Sequence, residues 1–144
     1  MIRFLYRLLK VFIGSDSGSE LPATVDAHEP LTRFIFSSEH FAPTKGIVKP
    51  KAFLPDGNGE TSVFRVSSID PEQIWEIGNK IRNEKAKARG NVVTRTVRRI
   101  GLQVNSASEE HPRHAVIVGW PREKDAKLML ALELSKNASL HVQR

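Results

Sequence analysis

Residues 115–120, Ala-Val-Ile-Val-Gly-Trp, form an apolar run with no polar alternate face. A strand of that kind must be covered on both sides, so the run predicts a central strand, in the middle of a sheet, with packed layers above and below it. The chain has 144 residues, 40% of them hydrophobic, which is enough for one such core. The helices that would cover it are legible in two places. At Asp70-Pro71-Glu72 the aspartate can cap free N–H groups, proline suits the first helical position and the glutamate favours the positive end of the dipole. Ile74, Ile77 and Ile81 with Gly78 then give one packed face, and Gly90 reads as the stop. Pro121 introduces a second helix to about residue 138, with Glu123 and Lys127 at i,i+4 and Leu128, Met129, Leu132 and Leu134 supplying its core face.

Further strands are predicted at 31–36 (Leu-Thr-Arg-Phe-Ile-Phe), and at Ala52-Phe53-Leu54 and 62–66, a pair flanking the turn-rich 55–60 as a hairpin. Another is read from Val92 through Ile100, and residues 139–143 read as a last, short edge strand. The order β-β-β-α-β-β-α-β predicts an α+β domain, with a mostly antiparallel sheet of about five or six strands packed by two helices.

Two N-terminal segments stand apart from this domain, which is read as 31–144. Residues 1–13 carry Arg3, Arg7 and Lys10 at i, i+4 and i+7, with Phe4, Leu5, Leu8, Phe12 and Ile13 around them, the pattern of an extra amphipathic helix. The run is shorter than the roughly 20 apolar residues of a membrane span, and its basic residues interrupt any signal-peptide core. It can dock on the protein's own core, join two copies as a homodimer, bind a partner protein as a subunit of a complex, or lie on an anionic membrane surface. An organellar presequence also fits. Residues 14–30, acidic and rich in Ser and Gly, read as a linker. The absence of cysteine excludes disulfides, thiol nucleophiles and Cys-based metal sites, and fits a cytoplasmic protein, free or peripheral to a membrane.

Charge is the strongest functional signal. The chain carries 22 Lys+Arg against 16 Asp+Glu, a net +6, and residues 80–99 alone hold eight of the basic residues against the single Glu84. Lys80, Arg82, Lys85, Lys87 and Arg89 from the first helix end, and Arg95, Arg98 and Arg99 beyond it, would converge around a turn. Self-repulsion in such a stretch is relieved by an anion: nucleic-acid backbone, an acidic protein, or the acidic segments of the same chain. The expected partner is therefore DNA or RNA, bound with low sequence specificity, with Arg33, Arg65 and Arg113 as further anion contacts. No aromatic platform for base stacking accompanies the stretch.

A second constellation is His111-Pro112-Arg113-His114, at the mouth of the apolar strand. The two histidines can serve as general acid and base near neutral pH, or one can cap a polar turn. A metal is not implied, since an i,i+3 pair without a third ligand falls far short of a zinc signature, and no cofactor is implied. Arg33 and Arg65, opposite Phe34 and Phe64 in their strands, would lie on one face as a cationic surface, with His40, Lys49 and Lys51 nearby. The rival reading is thus a small enzyme on a phosphate-bearing or nucleotide-like substrate, using His111 and His114 with Arg33, Arg65 and Arg113. No P-loop, dinucleotide fingerprint, nucleophile elbow or calcium loop occurs, which sets aside the large nucleotide-binding and α/β-hydrolase classes.

Overall fold

The computed structural model describes residues 21–144. The helix expected over 1–13, and the first part of the 14–30 segment, lie outside the described residues. In chain order the elements are β1 (Pro30–Ile35), the short pair β2 (Phe41–Ala42) and β3 (Ile47–Val48), β4 (Thr61–Arg65), α1 (Pro71–Ile81), β5 (Ala88–Val93), α2 (Thr94–Ile100), β6 (Gln103–Ser106), β7 (His114–Val118), α3 (Lys124–Lys136) and β8 (Ser139–Val142). Six strands form one antiparallel sheet in the order β6-β7-β4-β1-β5-β8. The α+β class holds, with three α-helices among the described residues. None of them is long and apolar enough to cross a membrane.

The sheet separates two apolar clusters. Leu31, Ile35, Val63, Ala88, Val92, Ala115 and Ile117 point to the face covered by α2, α3 and the 3-10 turn Pro50–Phe53. Phe34 and Phe64 point to the other face, where α1 seats Ile74, Ile77 and Ile81 on them. Local chemistry starts α1 as the sequence predicts: Asp70 Oδ1 accepts from the Gln73 N–H at 2.9 Å, and Gln73 Oε1 accepts from the Asp70 N–H at 3.1 Å. Gly78 lets the helix press on the sheet, since a Cβ there would lie 2.4 Å from Phe34 Cδ1.

Four local expectations are corrected. The apolar run 115–120 yields a buried strand, but β7 lies second from the edge and β1 and β4 occupy the centre. Gly90 does not end α1; it sits inside β5, where a Cβ would meet Val48 and Phe53 at 3.0 and 3.4 Å, and α1 stops at Ile81. The strand expected to run to Ile100 turns into α2 at Thr94, whose N–H and Oγ both donate to the Glu29 carbonyl. The β-branched residues there suited either conformation, and burial of Thr94 and Val97 at helical spacing, with Gly101 closing the helix at φ 110°, decides it. Ala52 and Phe53 belong to the 3-10 turn begun by Pro50, so no 52–66 hairpin forms.

The described part of the 14–30 segment packs onto the domain. Val25 is in the core, and Glu29 forms a bidentate ion pair with Arg65, which is only 1% exposed. Arg65 Nε and Nη2 donate to Glu29 Oε1 and Oε2 at 2.8 and 2.7 Å, and Nη1 donates to the Pro22 carbonyl. Burial by itself would raise the Glu29 carboxyl; the bonds from Arg65 and from the Asp26 N–H outweigh it and hold it below the ordinary 4.5.

Candidate functional site

α1 covers only part of its face of the sheet. Beyond it, over β4, β7 and β6, lies a cavity of about 690 Å3, closed at the sides by the end of α1, the 56–60 loop and the 105–110 loop. Strand alternation sends Ser62 and Phe64 of β4, and His114 and Val116 of β7, to this side. Ser62 and His114 are diagonal neighbours across the β4–β7 ladder, because Phe64 pairs with His114 and Ser62 with Val116.

That placement joins them directly. His114 Nδ1 lies 3.2 Å from the Ala107 carbonyl, which can only accept, so the ring proton sits on Nδ1. Nε2 is then the acceptor, and Ser62 Oγ–H donates to it at 2.6 Å. Burial is the main cause that lowers the His114 pKa, with Arg33 adding to it and the Ala107 carbonyl and Glu60 opposing it. The ring is therefore neutral, and basic at Nε2, at physiological pH. Arg33 steadies the site from behind, donating from Nη1 to the Ser62 carbonyl at 2.9 Å and from Nε to the Ala52 carbonyl at 2.8 Å. Asp56, Glu60, Glu109 and Glu110 line the cavity against the cations Arg33 and Arg82.

The two histidines of 111–114 do different things. His111 is 1% exposed, lies edge-on to Phe64 at 5.4 Å, and takes the Arg113 N–H on Nδ1, while its Nε2 has no partner among the described residues. Burial, then His114 and Arg113, push its pKa down to about 4. It does not line the cavity that His114 lines. Arg113 clamps the backbone, donating to the Arg65 and Ser67 carbonyls.

The basic residues divide as well. Arg33 and Arg65 do share a sheet face, but it is the packed one, and Arg65 is consumed by Glu29. Lys80 in the last turn of α1 and Arg82, Lys85 and Lys87 in the α1–β5 connection are exposed, whereas Arg95, Arg98 and Arg99 are exposed on α2. The six residues of β5, about 20 Å of extended chain, lie between the groups. Arg95 contacts His28 Nδ1 and Arg98 donates to the Val25 carbonyl. Arg89 is buried beneath Trp75. Ser62 is the site residue that the sequence reading passed over; its alternation with Phe64 placed it on the α1 face, but nothing local linked it to a histidine 52 residues away. No family model, curated protein or solved structure matches the chain.

Proposed function

We propose that this protein is a small enzyme whose cavity holds a neutral or cationic acyl substrate, with Ser62 as nucleophile and His114 as general base. The observation that carries the reading is the 2.6 Å Ser62 Oγ to His114 Nε2 hydrogen bond, with the tautomer fixed by the Ala107 carbonyl. In the reaction Ser62 Oγ bonds to the substrate carbonyl carbon as its proton passes to His114 Nε2. His114 returns that proton to the departing alcohol or amine. Water, deprotonated by His114, then releases the acid and restores the Ser62 hydroxyl. The acidic lining disfavours the phosphate-bearing substrate suggested by the sequence, and Ser62 takes the partner role first given to His111.

The test needs no knowledge of the substrate: a fluorophosphonate probe should label Ser62, as read by peptide mass spectrometry. Ser62→Ala should abolish labelling and His114→Gln should slow it by about 100-fold or more, the contribution of a general base. Absence of labelling in the wild-type protein, or its survival in Ser62→Ala, overturns the proposal.

A second reading rests on Lys80, Arg82, Lys85 and Lys87, four exposed cations within eight residues. They suit a nucleic-acid backbone, with Arg82 at the cavity and the three lysines outside its lining. Fluorescence anisotropy with DNA and RNA at about 50 and 200 mM salt should then show binding that weakens steeply with salt and is lost in a Lys85→Glu, Lys87→Glu double variant.

A further inference from the structure

On the same sheet face, on the other side of α1 from the cavity, Arg89 is 4% exposed, yet its hydrogen bonding is one-sided. Among the described residues only Nη1 is engaged, donating to Asn91 Oδ1 at 2.9 Å and to Thr32 Oγ at 3.3 Å. Thr32 Oγ–H in turn donates to Asn91 Oδ1, so these two residues fix the guanidinium from below. Trp75 fixes it from above, its ring centre 5.1 Å from Cζ. The remaining edge, Nε with Nη2, is the fork that grips a carboxylate with two parallel bonds, and Nε is buried with no acceptor among the described residues. Among the described residues Arg89 has no carboxylate partner, although Arg65, on the opposite face, is fully matched by Glu29.

We propose that the Nε–Nη2 edge of Arg89, between Trp75 of α1 and His141 of β8, is a binding site for a small carboxylate ligand. The position of His141 follows from the ladder, in which it is the direct partner of Arg89. The charge on the ligand follows from the count of cations. One buried guanidinium balances one negative charge, whereas a phosphate monoester carries nearly two at neutral pH and would leave the excess in a desolvated place. Burial also lowers the Arg89 pKa, a cost that a bound anion offsets.

The experiment follows the Arg89 Nε–H resonance of the full-length, nitrogen-15-labelled protein during titration with sodium acetate, sodium phosphate and sodium chloride at matched ionic strength. Arg89→Lys assigns the peak by its disappearance. Acetate should move it saturably, with half-saturation at about 1–10 mM, the range of a single bidentate pair. Chloride should leave it in place, and the His141 ring signals should shift along the same acetate curve. Equal responses to acetate and chloride, or none to acetate, overturn the site. A tighter response to phosphate than to acetate overturns the assignment of a monoanion. The labelling of Ser62 is read separately, so failure of either proposal leaves the other standing.

Discussion

Arg65 and Arg89 are buried guanidiniums on opposite faces of one sheet, and they are treated in opposite ways. Arg65 has a carboxylate and a backbone carbonyl arranged around it, and the segment that supplies them, 21–29, is fastened to the domain by the contact. Arg89 has a floor and a lid, but among the described residues its Nε meets no acceptor. The difference separates a charge that holds the fold together from one whose partner lies outside it. Burial alone does not distinguish them; the account of donors does.

Arg65→Met should cost about 3–5 kcal/mol in urea unfolding, because Glu29 is left as an uncompensated buried charge. Arg65→Met combined with Glu29→Gln should recover part of that loss. A cost below about 1 kcal/mol for the single variant would mean that the pair is no clasp.

Next in size is a pH effect from the neighbouring loop. His111 falls from 6.5 to about 4 on folding, so between those values the unfolded chain binds more protons and stability decreases as pH falls. The shift corresponds to about 3 kcal/mol, fully developed near pH 4. His114, also lowered, adds in the same direction. Glu29 has the opposite protonation chemistry and the same sign: its folded pKa is depressed, so its contribution is lost as pH falls below its ordinary 4.5. Chemical denaturation from pH 7 to 4 should show this slope, and His111→Leu should flatten it above pH 4.5.

The smallest effect is expected at Arg89 itself. Arg89→Met should change stability by less than about 1 kcal/mol, because removing a half-paired charge relieves its desolvation as it gives up the bonds to Thr32 and Asn91. A loss matching that of Arg65→Met would place Arg89 in the same structural class and remove the contrast.

Much of the fold was legible because its signals are local. The cap at Asp70, the helix face of Ile74, Ile77 and Ile81, the edge strand at 139–142 and the shared face of Arg33 and Arg65 all follow from spacing within a few residues. What escaped was set by distant partners. Thr94 begins a helix because the Glu29 carbonyl is there to receive it, and Gly90 stays in a strand because Val48 and Phe53 approach it. The site was half legible for the same reason. His114 stood out by residue type, while Ser62 gained meaning only from the register of β4 against β7. The basic stretch 80–99 was a true feature of composition, but β5 runs through it, and composition carries no distances.

β1 pairs with β5 at six positions but with β4 at only two, Leu31↔Arg65 and Thr32↔Phe64, and farther along, the Arg33 side chain bridges to the Ser62 carbonyl. Mechanically the sheet is two three-stranded plates, β6-β7-β4 and β1-β5-β8, joined along a short seam with a guanidinium as its rivet. Ser62 and His114 lie on one plate and Arg89 on the other, and α1, seated on Phe34 of β1 and Phe64 of β4, spans the seam between them.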